Sequence, residues 1–484
     1  MSTGTATTWS ELVAARLADN TDPAVVAGAV SWSGQELLER AQGALDLLDD
    51  WGVPAGDVVP ALVSTSPAAI AVAIAAAASG RPLAPFSPRQ TVSELAACVQ
   101  RLTPSVILAD ATSRNLAQEL AQASKARVAM LDDVARGSRT LPIASDPART
   151  AFVIHTSGTT GIPKRVDYRQ GLLVKRSRVF ATLLDLGSGD RYVTASPFHH
   201  VSGLGTCAAI LGAGAAVVSI PRFDLEHWEA LHDAGVTHAT AVPTALHRLI
   251  EADALDIPTL RVLQYGGSPV SLQLLERLQR ARPDLTLVQF FGQTEGTPLT
   301  WLNAADHRLG RTERPALLQS AGRAVPGVEV RVAHPDGTGE GEVLARGAHL
   351  AGAESGTWLA TGDRGRLDAD GYLYLSGRAS DRIIRGGENI YPSEIEQVLE
   401  QHPAVREAAV VGVPDQDLGE RVVAFVVAGA EGPVPDEQLR TFTRSHLSGF
   451  KVPAEWVWIE ELPRNPVGKL VRRALLPPGS PSLS

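Results

Sequence analysis

Between Ile154 and Lys164 the chain reads Ile-His-Thr-Ser-Gly-Thr-Thr-Gly-Ile-Pro-Lys. Hydroxyls from Thr156, Ser157, Thr159 and Thr160 can donate to oxygen anions, and Lys164 adds a mobile positive charge. Gly158 and Gly161 let the backbone take positive φ and come close to a ligand. Successive N–H groups in such a loop can converge on an anion. The apolar run from Ala151 to Ile154 reads as a short buried strand feeding this loop. The chemistry on offer is a cradle for phosphate; the plainer alternative is a Gly/Thr-rich surface turn. A Walker A loop is excluded, because Lys164 follows Pro163 and precedes Arg165 instead of sitting in Gly-Lys-Ser/Thr.

Other residue groups could do chemistry. His199 and His200 follow a strand-like run, Tyr192 to Ser196, but no third ligand at a usual spacing makes them a zinc site. Gly203, Gly205 and Ala208, with Asp224 downstream, imitate a dinucleotide fingerprint. Pro197, His199 and His200 stand where its buried strand should be, so the glycines read as packing at a helix start. Gly266-Gly267-Ser268-Pro269 leaves room for a flat ring against the backbone, or is a tight strand–helix turn. Glu295 is an oxygen ligand suited to a hard cation, or a solvated loop carboxylate. Asp363 and Lys469 each sit beside a glycine, in positions that also suit plain turns.

In chain order these stretches resemble the adenylate-forming superfamily: acyl-CoA synthetases, adenylation domains and luciferases. The resemblance covers nearly the whole chain. It implies that Thr156, Ser157, Gly158, Thr159, Thr160, Gly161 and Lys164 hold the phosphates of ATP. It puts His200 beside the substrate carboxylate and adenine at Gly267, Ser268 and Pro269. In Phe291-Gly292-Gln293-Thr294-Glu295, Phe291 replaces the commoner Tyr against adenine, Thr294 contacts the α-phosphate and Glu295 holds Mg²⁺. Asp363 falls on the ribose hydroxyls and Arg378 on ribose or phosphate. Gly386 and Gly387 match the loop that admits the pantetheine arm of CoA. Lys469, closing Pro463-Arg464-Asn465-Pro466-Val467-Gly468-Lys469, reaches the reacting carboxylate and the α-phosphate. The hinge falls at Ser380, where Asp or Lys is usual, and the segment from Gly352 to Gly356 is shorter than in most members.

The implied reaction is activation of a carboxylic acid by ATP to an acyl-adenylate, then capture of the acyl group by CoA. A stand-alone adenylation enzyme that loads a carrier-protein phosphopantetheine is the alternative. A degenerate, non-catalytic nucleotide- or acyl-binding protein is a third; the intact Lys469, Glu295 and Thr294 argue against it. Candidate acid-pocket residues are His200, Val201, Leu204, Thr244, Gly266 and Thr297. They are small or apolar, with no Asp or Arg among them, which favours a hydrophobic or aromatic acid. Lys469 and the Gly386–Gly387 pair lie on one small domain yet serve successive steps at one site, so that domain must rotate.

These residues need a large scaffold, and 484 residues provide one. Short strands alternating with helices up to residue 379 argue for an α/β domain with helix-covered sheets. Residues 380–484 read as a small, mobile α+β domain. The net charge of −9 is mildly acidic with dispersed basic residues, unlike a nucleic-acid binder. Cys98 and Cys207 make no disulfide framework, which fits a reducing compartment. Residues 1–10 lack a signal-peptide pattern, and the most apolar run, Ala68 to Ala78, is too short to span a bilayer. A cytoplasmic enzyme without membrane or nucleic-acid partners is expected, its oligomeric state open.

Overall fold

The computed structural model describes residues 5–156, 163–194, 196–221, 223–352, 356–465 and 468–476. Two large sheets carry the first part of the chain. The nine-stranded sheet runs in the order Arg323–Ala324, Gly296–Leu302, Thr286–Gln293, Val262–Gly266, His238–Ala241, Arg191–Thr194, Ala216–Ser219, Pro23–Ala27, Val30–Ser33. Its six central strands are parallel and its edges antiparallel. The second sheet has six strands, Arg127–Met130, Val106–Ala109, Val59–Leu62, Leu83–Pro85, Thr150–Thr156 and Lys164–Arg169. Only its last pair is antiparallel.

The helix Pro67–Ser79 shows how the two are joined. Ser66 caps its start, accepting from the Ala69 N–H, Pro67 opens it, and Gly80 ends it at φ 72°. Every side chain from Ala68 to Ala78 is buried. A helix apolar all round must be covered all round. Accordingly it packs on Pro23–Ala27 of one sheet and on Leu83–Pro85 and Thr150–Thr156 of the other. Its alanines let those strands come close.

Parallel strands put their carboxyl ends on one side, where ligands bind in open α/β sheets. Here the ends of Arg191–Thr194, His238–Ala241, Val262–Gly266 and Thr286–Gln293 run into the segments holding His200, Thr244, Gly267 and Thr294. Phe291, Gly292 and Gln293 belong to the strand Thr286–Gln293, because Gln293 pairs with Gly296 across a two-residue turn of Thr294 and Glu295. Similarly Thr361, Gly362 and Asp363 lie within the strand Leu359–Leu367 of a third, four-stranded antiparallel sheet.

That sheet ends at Arg378, and the next strand, Ile383–Arg385, belongs to a separate sheet of five. The last sheet is flanked by the helices Pro392–Leu399 and Asp436–His446 and has its own core around Ile395, Leu399, Val410, Val426 and Leu439. The mixed α/β architecture with a smaller C-terminal unit is as expected. Among the described residues no helix is long and apolar enough to cross a membrane.

Candidate active site

The hairpin Thr150–Thr156/Lys164–Arg169 carries the Thr/Gly loop, with Thr156 paired to Lys164 at its mouth. Ser157, Gly158, Thr159, Thr160 and Gly161 lie outside the described residues. From the hairpin's base Lys164 reaches Glu295, Nζ to Oε1 2.5 Å. Four residues along, on the same face of the strand, the Tyr168 hydroxyl donates to the Thr294 carbonyl. The Thr294–Glu295 turn is fixed from the other side by the Ala351 N–H, which donates to the Glu295 carbonyl at 2.6 Å. Glu295 is well covered, its side chain 14 % exposed.

Asp363 and Arg378 are paired residues on adjacent strands, with Nε 3.4 Å from Oδ1. Burial pushes the Asp363 carboxyl above its ordinary range, opposed by Arg378 and Lys469. Burial pulls Lys469 down from the usual lysine value, Arg378 adds to this and Asp363 offsets it. The Lys469 charge is thus within electrostatic reach of Asp363 and Arg378, which lie on the four-stranded sheet. It also bears on His200, whose pKa is held at about 3 by burial first, then by Lys469, His199 and Arg176. A neutral His200 ring accepts the Ser202 N–H at Nδ1, 3.3 Å, and thereby starts the π-turn Val201–Gly205.

Local bonding holds the lysine in place. The Lys469 N–H donates to Asn465 Oδ1, the Asn465 N–H to the Lys469 carbonyl and the Gly468 N–H to the Asn465 carbonyl, each at 2.9 Å. Gly468 has φ 80°, and a Cβ there would come 3.1 Å from Thr244 Oγ1 and 3.3 Å from Val242. Thr244 thus lies against the lysine loop and, with Ser268 and Pro269, lines a cleft whose other wall includes Glu396, Glu400 and Arg464. Gly266 ends its strand where a Cβ would fall 2.2 Å from the Phe290 carbonyl oxygen. Val201 and Leu204 are buried, while Gly292 approaches Thr297 so closely that a Cβ would fall 2.7 Å from its Cβ.

Gly386 and Gly387 form a hairpin tip at φ 58° and 87°. Gly386 leans on Leu418, and Gly387 has open space beside it. The structure thus gathers Lys469, Asp363, Arg378 and His200, and no described contact brings the glycine tip to them. Ser380 donates to Asp381 Oδ1 at 3.0 Å, and Arg472 Nε donates to Asp381 Oδ2 at 3.2 Å. Arg472 also binds the Glu396 carboxylate with both Nη atoms.

Residues 14–353 match the AMP-binding enzyme family, and residues 394–469 its C-terminal domain. The chain belongs to the AMP-binding enzyme family. Among curated relatives, a fatty acid–[acyl-carrier-protein] ligase, ScoC, of Streptomyces coeruleorubidus is 32 % identical over 94 % of this chain and 93 % of its own. A 2-succinylbenzoate–CoA ligase of Bacillus licheniformis is 37 % identical over 67 % of this chain and 69 % of its own. The solved o-succinylbenzoate CoA synthetase of Bacillus subtilis, in complex with its acyl-adenylate intermediate, superposes with a TM-score of 0.83 at 26 % identity, covering 96 % of this chain and 97 % of that one. These relatives place this AMP-binding enzyme among the AMP-forming acid–thiol ligases.

Several residues of this AMP-binding enzyme were not legible beforehand. Tyr168 had one signal, its even spacing from Lys164 along a strand. Arg472 had none, because its partners Asp381 and Glu396 come from other parts of the fold. Arg176 lies in the helix Gln170–Leu184 and is 1 % exposed, an arginine in what reads as a packing helix.

Proposed function

We propose that this enzyme joins a carboxylic acid to ATP, forming an acyl-adenylate and pyrophosphate, and then transfers the acyl group to the thiol of CoA with release of AMP. The observation that carries this reading is the Asp363–Arg378 pair on adjacent strands, Nε 3.4 Å from Oδ1, with the Lys469 charge in electrostatic reach of both and of His200. The first step brings a carboxylate oxygen onto the anionic α-phosphorus. Positioning and charge neutralisation dominate such a displacement. Lys469 neutralises the approaching oxygens, Thr294 offers its hydroxyl to the α-phosphate, and Asp363 accepts from the ribose hydroxyls. His200, neutral, sits beside the acid carboxylate without adding a charge. Lys164 and the Thr/Gly loop bind the departing phosphates.

Among the described residues no group of three or more His, Cys, Asp or Glu could hold a metal ion by itself. Glu295 alone offers a carboxylate at the phosphate side, and this fits Mg²⁺, which takes one or two carboxylates and fills its shell with phosphate and water. Bound there, the ion would supply Lewis-acid stabilisation of phosphate charge.

The second step needs Gly386 and Gly387 at the same place. A rotation of residues 380–484 about Ser380 would exchange Lys469 for that tip. The acid is proposed to have a hydrophobic or aromatic body, received by Val201 and Leu204. Loading of a carrier-protein phosphopantetheine is the second reading, favoured by the carrier-protein ligase among the full-length relatives. Incubating enzyme, ATP and an acid panel with CoA or with a carrier protein separates them by which thioester forms. Absence of acid-dependent ATP–pyrophosphate exchange across the panel overturns the adenylation reading itself.

A further inference from the structure

Arg176 is a buried cation without a counter-ion among the described residues. One of its nitrogens is used: Nη1 donates to the Tyr168 hydroxyl at 3.3 Å. Nε and Nη2 have no hydrogen-bond partner among the described residues. Burial pulls its pKa down, and only Tyr168 opposes that; no carboxylate contributes. The rings of Tyr168 and Phe180 lie 5.6 and 5.4 Å from the guanidinium carbon. These faces stabilise a cation partially but satisfy no N–H.

The location is as informative as the missing partner. The guanidinium presses against the turn that carries Val201 and Leu204. A Cβ on Gly205 would lie 3.2 Å from Nη1, 3.6 Å from Cζ and 3.1 Å from Val201 Cγ2. Any side chain at 205 would crowd the guanidinium and Val201. Arg176 is also near enough to His200 and His349 to disfavour their protonation. It therefore lies against the turn Val201–Gly205, which carries Val201 and Leu204 of the proposed acid pocket.

Nε and Nη2 make up the side-on edge of a guanidinium, whose parallel N–H bonds match the two oxygens of a carboxylate. A pin for Tyr168 needs one donor, and lysine or glutamine would serve. Burying a full positive charge with that fork free is costly unless a partner arrives.

We propose that Arg176 is the specificity-determining residue of the acid pocket, and that the acid activated here carries a second carboxylate at the end remote from the reacting one, bound by the Nε–Nη2 edge. This rests on the reading that Val201 and Leu204 border the acid site, and it deepens that reading. The substrate class is an apolar-bodied dicarboxylic acid.

The test is ATP–pyrophosphate exchange by the intact enzyme with matched pairs: straight-chain monoacids against α,ω-diacids, and phenylalkanoic acids with and without a ring carboxylate. At one length the wild type should prefer the diacid by about two decades or more in kcat/KM, since a site built around a polar group rejects the analogue lacking it. Arg176→Met should erase that ratio. Taking the ratio within one variant cancels any general loss of activity. Arg176→Lys, which keeps the charge but not the fork, should retain part of it and covers the case of a poorly folding Met variant. Monoacids equal to or better than diacids at every length in the wild type would overturn the proposal. Exchange with no acid of either series would overturn the adenylation reading beneath it.

Discussion

Lys164 Nζ lies 2.5 Å from Glu295 Oε1, so the lysine at the base of the Thr/Gly hairpin is held by the carboxylate of the Thr294–Glu295 turn. The two residues come from different sheets. With the lysine side chain 60 % exposed, such a pair contributes little stability, at most about 1 kcal/mol. Its value lies in registering one phosphate-binding element on another.

Glu295→Gln separates those roles. The amide keeps the shape and loses the charge that a hard cation prefers. The variant should melt within a few degrees of wild type, yet need more Mg²⁺ for half-maximal exchange and run roughly ten to a hundred times slower. A magnesium titration that superimposes on wild type would reduce Glu295 to a structural partner of Lys164.

Lys469→Ala should lower acid-dependent pyrophosphate exchange by about two to three decades, the cost of losing one charge-stabilising contact in a transition state. Thioester formation from a supplied acyl-adenylate should persist, because that step uses the opposite orientation of the small domain. If both half-reactions fall equally, Lys469 serves the fold of its loop and not the first step.

Ser380→Pro tests the pivot. The resemblance puts Asp or Lys at this position, where this chain has Ser380. The structure supplies charge one residue on: Asp381 is tied to Arg472, and Arg472 to Glu396. Asp381 is thereby tied to the C-terminal unit, so the proposed rotation is expected to bend the chain at residues 379 and 380. Proline there fixes φ and removes an N–H. Thioester formation should fall at least tenfold while most pyrophosphate exchange remains, measured as two half-reactions on one preparation. Equal rates for wild type and variant in both would move the pivot elsewhere.

Glu400 gives a stability test. Its carboxyl is pushed up to about 8, by burial first and then by Glu396, with the Ala408 N–H opposing. The unfolded chain releases this proton near 4.5. Between those values the folded state holds more protons, so rising pH costs stability, at most about 1.4 kcal/mol per unit for this group. Glu400→Gln removes that slope. Thermal melts at pH 5, 6.5 and 8 should show the variant gaining on wild type as pH rises; parallel curves would mean the carboxyl is already ionised when buried.

Much of the fold could be read from local pattern. Pro67–Ser79 announces itself by a serine cap, a leading proline and a closing glycine, and the runs Ala151 to Ile154 and Tyr192 to Ser196 became the strands Thr150–Thr156 and Arg191–Thr194. Strand order could not be read. Pro23–Ala27 pairs with Ala216–Ser219, a partner nothing local specifies. The same divide holds in the site. Asp363, Arg378 and Lys469 stand in distinctive motifs, and the first two pair on adjacent strands. Tyr168, Arg176 and Arg472 sit in ordinary strand or helix text, and only packing gives them their neighbours.

Lys469 and Arg472 follow every strand of all four sheets in chain order. A ribosome delivers them after the nucleotide-facing sheets, which can close as they emerge, N-terminal parts first. The growing chain therefore holds Thr294, Asp363 and Arg378, the residues proposed to contact phosphate and ribose, before Lys469 is made. Arg472, which ties Asp381 to Glu396, follows three residues later.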